Sequence, residues 1–273
     1  MGMLETIQSG RENRPPRIMI YGSEGVGKST FGASAPGAIF IQTEDGLGEI
    51  DCRKFPLAHS LSEVIAELTA LRDEAHEFQT VVVDSVDWLE RLIFDEVCRE
   101  FGVRSIEKAD GGYGRGYTHA LTHWRKVISL LQELRDKRGM MVILVAHAKV
   151  ERFEDPENAA YDRYTPRLHK HAASLIAEWV DAVLFANKKF RVTKENAGFN
   201  GERAIAAPIG ADGGERIIRT VGSPACIAKN RYGLPSPHGE PERSLRRRGY
   251  SRGRRGPRGL CDRRHGQARC RRH

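Results

Sequence analysis

A glycine-rich segment that ends in lysine and serine is the feature of this sequence whose chemistry is easiest to name. Residues 22–29 read G-S-E-G-V-G-K-S, which fits the pattern G-x-x-x-x-G-K-[ST]. Glycines let backbone N–H groups turn toward phosphates, the Lys28 ammonium can reach the β- and γ-phosphates, and the Ser29 hydroxyl can ligate Mg²⁺. A chance glycine turn is disfavoured, because an apolar strand precedes the segment and a helix follows it. The predicted nucleotide-binding residues are Gly22, Ser23, Glu24, Gly25, Val26, Gly27, Lys28, Ser29 and Thr30.

An aspartate at the end of an apolar strand is the second candidate. Residues 80–84 read T-V-V-V-D. A carboxylate in that place, beside a phosphate-binding loop, can hold Mg²⁺ through the hydration water of the ion. We therefore predict that Ser29 and Asp84 are the magnesium residues. The alternative is that Asp84 or Ser85 caps the helix that follows, since both are good N-cap residues.

Two other strands also end in polar residues that could act on a bound nucleotide. The second strand leads into Q-T-E-D, where Glu44 is predicted to orient and polarise the attacking water, with Asp45 as the alternative base. An acidic turn with Gly46 is the other interpretation of this stretch. His147 ends the run M-M-V-I-L-V-A-H and is predicted to sense the γ-phosphate and to pass the signal to the following loop. A surface histidine is the alternative there.

These candidate residues must be positioned by alternating strands and helices, which predict an α/β fold with a mostly parallel sheet flanked by helices. The predicted strands are residues 17–21, 38–42, 80–84, 140–146 and 180–186. The predicted helices are residues 28–35, 61–78, 86–101, 119–137 and 174–178, and the predicted loops are 102–116 and 149–167. Four short strands predict an antiparallel extension on the C-terminal side, at residues 188–193, 203–207, 216–220 and 225–229.

Together these segments resemble RecA-like recombinases, and more closely the phage-encoded RecA-like single-strand annealing proteins. I-F-I-Q-T-E-D-G-L is similar to the family segment that carries the catalytic Glu, here Glu44, and V-V-V-D-S-V is similar to its magnesium strand. V-I-L-V-A-H is similar to the strand that ends in the γ-phosphate sensor, although RecA itself has Gln there. The resemblance covers about residues 17–235. It implies a RecA-like P-loop NTPase core that uses ATP and Mg²⁺ and assembles as a ring or filament.

The resemblance also implies two DNA-contacting loops, at residues 102–116 and 149–167. Aromatic and basic residues interleave in both, an arrangement that binds single-stranded DNA without reading its sequence; ordinary solvated loops are the alternative. The candidate residues are Lys108, Tyr113 and Arg115 in the first loop and Lys149, Arg152, Arg163 and Arg167 in the second.

A late segment, I-A-K-N-R-Y-G-L-P at residues 227–235, resembles a RecA segment whose basic residues reach the nucleotide of a neighbouring protomer. This resemblance implies that Lys229 and Arg231 act in trans on the next active site of an oligomer. The alternative is that both are exposed residues at the end of a strand.

Charge divides the chain into parts. The formal net charge is +8, but residues 235–273 hold 13 arginines against three acidic residues, a net of +10, so the remainder carries a net of −2. The basic character therefore does not indicate that the folded part binds nucleic acid. We predict a flexible leader at residues 1–16, the ATPase domain at 17–234 and an Arg-rich disordered tail at 235–273. The tail is typical either of translation in an unintended frame or of a segment that binds nucleic acid by counterion release.

Hydrophobic residues make up 40% and charged residues 29% of the chain, as in globular proteins. No apolar run approaches the roughly 20 residues that span a bilayer, and five irregularly spaced cysteines indicate a reducing compartment. We therefore expect a cytoplasmic protein, in the host cytoplasm if phage-encoded, that has no membrane partner.

The predicted function is that of a DNA-stimulated ATPase acting on single-stranded DNA in recombination or annealing. One alternative is an ATPase of the same fold that acts as a switch or loader on a protein partner. A second alternative is a small-molecule kinase, for which the sequence shows no clear Arg-rich lid.

Overall fold

The computed structural model describes residues 2–7, 9–10, 12, 14–196, 202–209 and 214–235, with the backbone alone for 190–196 and 202–208. Within the predicted leader, Met3–Thr6 forms one turn of 3₁₀ helix. The predicted Arg-rich tail beyond Pro235 lies outside the described residues. The division of the chain into leader, domain and tail therefore stays a prediction.

A mostly parallel sheet forms the centre of the described part, in which nine strands pair in the spatial order β10-β7-β1-β5-β4-β2-β3, with β11 added to β7 and β6 added to β5. Two further strands, β8 and β9, form a separate antiparallel hairpin. In chain order the strands are β1 (Arg17–Gly22), β2 (Ala38–Gln42), β3 (Arg53–Leu57), β4 (Thr80–Asp84), β5 (Met141–Phe153), β6 (Tyr161–Pro166), β7 (Ala182–Lys188), β8 (Phe190–Asn196), β9 (Glu202–Pro208), β10 (Arg216–Arg219) and β11 (Lys229–Asn230).

The central strands are continuous apolar runs because both of their faces are covered. All five residues of β4 are buried, and Val81, Val82 and Val83 have no exposed surface. The strands β1, β2, β3, β4, β5 and β7 run parallel to one another, so their carboxyl ends share one edge of the sheet. In register, Gly22 lies opposite His147 and Asp84 lies opposite Gln42.

Helices cover both faces of this sheet. They are α1 (Lys28–Ala33), α2 (Leu61–Asp73), α3 (Val86–Glu100), α4 (Arg115–Arg138) and α5 (Lys170–Trp179). One core lies on the side of α2 to α5 and includes Leu68, Leu89 and Trp124. A smaller core on the α1 side includes Phe40 and Val82. The Ser60 hydroxyl caps α2 by accepting from the Glu63 backbone N–H, which explains why that helix begins there.

The fold-class prediction is confirmed: a mostly parallel sheet lies between helices, and antiparallel strands follow on the C-terminal side, where β10 and β11 pair with β7. None of the helices in the described residues has the length and apolar character needed to cross a bilayer.

Residues 149–167 differ from the prediction, because they form a hairpin where we expected a loop. Strand β5 continues past the sheet edge to Phe153 and pairs antiparallel with β6, from Ala148 opposite Pro166 to Phe153 opposite Tyr161. Much of this hairpin is exposed, so its side chains are largely charged and show no apolar alternation. Backbone hydrogen bonds form the ladder whatever the side chains are.

Smaller differences concern the bounds of other elements. Strand β3 was not predicted, because R-K-F-P-L at the sheet edge is mostly exposed and contains proline. The segment predicted as a strand at residues 225–229 forms a strand only at its end, where Lys229 and Asn230 pair with β7, and Cys226 makes isolated bridges with Tyr164 and Ser223. Helix α4 begins at Arg115, four residues before the predicted start, after a left-handed Gly114.

Candidate active site

A cleft of about 520 Å³ opens at the carboxyl edge of the sheet, within the roughly 300–1,000 Å³ usual for ligand pockets. It brings together residues from four different strand ends, as predicted from the sequence. The residues that line it include Gly25, Gly27, Lys28, Ser29, Glu44, Asp84, His147 and Arg216.

The glycine-rich loop connects β1 to α1, and two of its glycines are required by geometry. A Cβ on Gly22 would lie 2.0 Å from the Ala186 carbonyl oxygen, so glycine permits the loop strand to approach β7. Gly27 precedes α1 with φ of +96°, a left-handed conformation that favours glycine. These constraints fix the backbone that would cradle a phosphate chain.

Lys28 is buried inside this loop. Its Nζ donates to the carbonyl oxygens of Gly22, at 3.1 Å, and Ser23, at 2.9 Å. Burial lowers the pKa of Lys28, while the nearby carboxylates of Asp84 and Asp87 oppose that shift. The ammonium is therefore held within the loop and surrounded by acidic groups.

Asp84 and Ser29 fit the predicted magnesium site. Asp84 is 8% exposed, and burial raises its pKa, while the Ser29 hydroxyl and the Lys28 charge act in the opposite direction. A buried carboxylate of this kind is stabilised by a cation. Both residues offer oxygen atoms, the ligands that Mg²⁺ prefers. Ser29 and Asp84 could therefore hold a magnesium ion beside the loop.

Glu44 lies at the cleft and is tethered there by one hydrogen bond. Ser85, which follows Asp84 through a cis peptide bond, donates its hydroxyl to Glu44 Oε2 at 2.9 Å. The neighbouring Asp45 is exposed and is not among the residues that line the cleft. Of the two candidate bases, Glu44 is thus the one that lines the cleft, and its role as the base stays a prediction.

His147 is held by a buried aspartate that sequence reasoning missed. Asp87, 4% exposed, accepts from the His147 backbone N–H at 3.0 Å, and Nδ1 of the same histidine lies 3.1 Å from its Oδ2. Arg167 binds the same carboxylate oxygen, with Nη2 2.7 Å from Oδ2. Burial would raise the pKa of Asp87, but the hydrogen bonds from His147 and Arg167 outweigh it and hold the pKa well below its usual range. No local signal marked Asp87, because it stands in the first turn of α3, where acidic residues are common.

Comparison with known proteins agrees with this geometry. The family model described as AAA domain matches residues 14–232.

This chain belongs to the AAA domain family.

The predicted class, a P-loop ATPase, is thereby confirmed at the level of the family, and membership implies nucleotide binding. SPbeta prophage-derived uncharacterized protein YorG of Bacillus subtilis (strain 168) is 27% identical to the AAA domain chain over 172 residues. That match covers 62% of this chain and 49% of YorG, so the chain spans about half the length of this curated relative. This chain is also similar to a crystal structure of the RadB recombinase. The match covers 75% of this chain and 87% of the RadB chain, with 14% sequence identity and a TM-score of 0.40.

The first predicted DNA loop of the AAA domain is a tight turn before α4. Tyr113 is 99% exposed with φ of +55°, and Lys108 lies in the 3₁₀ turn Ile106–Gly111. Arg115 donates to the Asp110 carbonyl at 3.3 Å. An exposed aromatic beside two basic residues is compatible with base stacking, and DNA contact here stays a prediction.

The second predicted DNA segment is the hairpin of β5 and β6, in which the basic side chains are largely engaged. Lys149 bonds the Leu168 carbonyl and Glu151 at 2.8 and 2.7 Å, and the Arg163 guanidinium lies 3.8 Å from the centre of the Phe153 ring. Residues 149–167 contain five acidic residues and four basic ones, and Arg152 and Arg167 are among the basic ones. The net charge of the segment is therefore −1. This balance does not favour a phosphate backbone, and DNA contact stays a prediction here too.

The two cations predicted to act in trans differ in their surroundings. Lys229 donates from Nζ to the carbonyl oxygens of Ala177 and Val180, both at 2.7 Å, so it caps the end of α5. Burial lowers its pKa. Arg231 is 55% exposed and has Nη1 3.4 Å from Asp181 Oδ1. Lys229 would have to leave its carbonyls to act in trans, whereas Arg231 would give up one long contact.

Arg216 is a cleft residue that we predicted only as part of a strand. It begins β10, and its guanidinium lies beside the nucleotide-binding loop at Gly27. No local pattern marks it, because its position depends on β10 pairing with β7.

Proposed function

We propose that this AAA domain binds ATP with Mg²⁺ in the cleft, hydrolyses it, and couples hydrolysis to single-stranded DNA in phage-type recombination or strand annealing. The observation that carries the ATPase part is the convergence of Lys28, Ser29, Asp84, Glu44 and His147 on one cleft. Each comes from the end of a different strand or from the loop, and each has the chemistry that phosphoryl transfer to water needs.

In the proposed mechanism the loop backbone and Lys28 bind the phosphate chain and compensate its negative charge. Glu44 orients a water for attack on the γ-phosphorus and accepts its proton, while the Ser85 hydroxyl holds the carboxylate in place. Mg²⁺ bound at Ser29 and Asp84 would supply further positive charge beside the β- and γ-phosphates. The product phosphate and ADP then leave the cleft.

His147 and Asp87 connect this cleft to the hairpin of β5 and β6. Asp87 is ionised and accepts from Nδ1 of His147, so Nε2 is the ring nitrogen that can meet a γ-phosphate. Arg167, at the base of the hairpin, shares the same carboxylate and also donates its backbone N–H to the His147 carbonyl at 2.8 Å. A change in the position of His147 would therefore shift Arg167 and, with it, the base of the hairpin.

Single-stranded DNA is the proposed polymer because an exposed aromatic, Tyr113, stands with Lys108 and Arg115 in the first loop. The prophage origin of YorG supports a phage setting. We further propose that the protein works as a homo-oligomer, in which Arg231 is exposed enough to reach a neighbouring site.

A second candidate function is favoured by the charge of the hairpin. Its tip holds Glu154, Asp155 and Glu157 without a basic residue between them, and such a tip repels a phosphate backbone. The same ATPase cycle could instead move the hairpin against a basic surface of a protein partner, as a switch or loader.

The test is ATP turnover of the purified chain with Mg²⁺, with and without single-stranded DNA. We expect measurable turnover that DNA increases, and a loss of about 100-fold or more in Lys28→Ala, since a phosphate-facing charge is removed. Lys126→Ala, an exposed lysine on α4, is the matched control and should behave as the unaltered chain. Wild-type turnover in Lys28→Ala would contradict the site, and turnover indifferent to DNA would favour the protein partner.

A further inference from the structure

Arg216 is held against the nucleotide-binding loop by the pairing of β10. In register, Arg216 lies opposite Lys188 of β7. Alternation along the strand puts Arg216 and Ile218 on one face, and Ile218 packs against the core on the α1 side. The strand therefore directs the Arg216 side chain toward the start of α1, where the loop is.

The guanidinium lies next to the loop. Arg216 Nη1 is 3.1 Å from the position that a Cβ on Gly27 would occupy. The side chain is exposed and lines the same cleft as Lys28 and Ser29. It also lines a second cavity of about 270 Å³, formed with Val26 and the α1 helix. Arg216 thus stands at the boundary between the phosphate cleft and a neighbouring space.

The chemistry of guanidinium suits this place. Its rigid planar fork presents paired N–H donors that match two oxygens of one phosphate, whereas an ammonium acts as a compact point charge without that fixed geometry. Gly27 lies in the part of the loop whose backbone cradles the α- and β-phosphates, whereas Lys28 reaches the β- and γ-phosphates. A cation beside Gly27 is therefore adjacent to the inner part of the phosphate chain.

We propose that Arg216 binds the α- and β-phosphates of the nucleotide held by its own chain. This inference rests on the proposed ATPase function and adds a second cation to the cleft, beside Lys28. It assigns a role in cis, distinct from the role in trans proposed for Arg231. Since ADP and ATP share the two inner phosphates, Arg216 contributes equally to the binding of both.

The experiment measures the Kd of ADP and of ATP, by titration calorimetry with Mg²⁺, for the unaltered chain and for Arg216→Ala, Arg216→Lys and Arg219→Ala. We expect Arg216→Ala to weaken both nucleotides about 10- to 100-fold, the effect of losing hydrogen bonds to a charged group. Arg216→Lys should recover part of the affinity, because it restores charge without the fork. Arg219→Ala removes the same residue type from the opposite face of β10 and should bind as the unaltered chain does.

Thermal melting of each variant without nucleotide separates binding from folding. Arg216→Ala is expected to melt at the same temperature as the unaltered chain. If Arg216→Ala does not fold, the Kd values of Arg216→Lys are compared with those of the unaltered chain instead. Unchanged Kd values for both nucleotides in folded Arg216→Ala and Arg216→Lys would overturn the proposal. A loss confined to ATP would overturn the assignment to the inner phosphates.

Failure of the proposed function has a different signature. If the unaltered chain binds neither nucleotide, the ATPase proposal falls, and this inference falls with it. If the unaltered chain binds both nucleotides and Lys28→Ala does not, but Arg216→Ala binds normally, the ATPase proposal stands and only the role of Arg216 is rejected.

Discussion

The cleft holds or adjoins several carboxylates, and the surroundings of Asp84, Asp87 and Glu44 separate their roles. Asp84 is buried, so its ionised carboxylate lacks solvation and would be stabilised by a bound cation. Asp87 is committed to His147 and Arg167 and orients the histidine. Glu44 is partly exposed, with one hydrogen bond from Ser85, and can accept a proton from water. The three carboxylates are chemically similar, and their different environments suit them to different roles.

The choice of Glu44 as the base gives a prediction at the scale of single residues. Glu44→Gln keeps the hydrogen bond from Ser85 but removes the basic oxygen, so turnover should fall about 10²- to 10⁴-fold. ATP binding should be retained, because the phosphate-binding groups are untouched. Steady-state turnover and nucleotide titration on the same preparation provide the measurement.

Asp45→Asn is the matched control for that experiment, since it makes the same chemical change one residue away. It should turn over ATP near the rate of the unaltered chain, because Asp45 is exposed and does not line the cleft. A large loss in Asp45→Asn without a loss in Glu44→Gln would show that the base is the other carboxylate.

At the scale of elements, Asp181 joins segments that are far apart in the sequence. It precedes β7, and its carboxylate binds Arg17 at the start of β1, with Nη2 2.7 Å from Oδ1. It also accepts from the Tyr232 hydroxyl at 3.0 Å, and Arg135 of α4 lies 3.6 Å away. Burial raises the pKa of Tyr232 to about 12, with the Asp181 hydrogen bond acting in the same direction. One carboxylate thus connects the first strand, a helix and the last described segment.

This cluster predicts a pH-dependent contribution to stability. Burial would raise the pKa of Asp181, but hydrogen bonds from Arg17 and Tyr232 outweigh it and hold the pKa well below its usual range. A depressed folded-state pKa stabilises the fold above the unfolded value of about 3.9, and that contribution is lost as pH falls below it. Asp181→Asn should therefore lower the free energy of unfolding at pH 7 by about 2 kcal/mol, less than for a fully buried pair because solvent screens part of it.

Denaturant unfolding at pH 7 and near pH 3 checks this expectation. The difference between Asp181→Asn and the unaltered chain should shrink at the lower pH, because Asp181 of the unfolded chain is largely protonated there while that of the folded chain stays ionised. Asp73→Asn is a suitable control, because Asp73 pairs with Arg72 at an exposed site and should have a much smaller effect. An Asp181→Asn effect that is equal at both pH values would contradict the charge-based account.

At the scale of the whole molecule, the proposed oligomer can be tested through Arg231. Chains with Lys28→Ala and chains with Arg231→Ala should each be inactive alone. Lys28→Ala damages the nucleotide-binding loop of its own chain, whereas Arg231→Ala removes a cation from the site of the neighbouring chain. Mixed assemblies should recover up to about a quarter of wild-type turnover, because random head-to-tail contacts then pair an intact loop with an intact Arg231. Turnover of the mixture after subunit exchange is the measurement.

Mixing Lys28→Ala with Glu44→Gln chains is the control, because both residues belong to one cleft of one chain and no complementation is expected. Full activity of Arg231→Ala alone would reject the role in trans. So would the absence of recovery in mixtures whose co-assembly and exchange have been verified.

Some features of the site followed from the sequence alone because they depend on short stretches of chain. The loop at residues 22–29 carries its glycines, lysine and serine in one motif, and their backbone requirements are local. Asp84 and His147 each end an apolar run and Glu44 lies two residues past the end of β2, and parallel strands place their carboxyl ends at one edge. Their meeting in one cleft could therefore be predicted without coordinates.

Only the tertiary structure decided the contacts between residues that are distant in the sequence. Arg216 reaches Gly27 because β10 pairs with β7, and Asp87 joins His147 to Arg167 because α3 packs beside the end of β5. The hairpin at residues 149–167 is charged on both faces, so no apolar alternation marked it as strands. Hydrophobic periodicity indicates which residues are buried. Backbone hydrogen bonding between exposed segments does not require apolar side chains, so the sequence pattern does not reveal it.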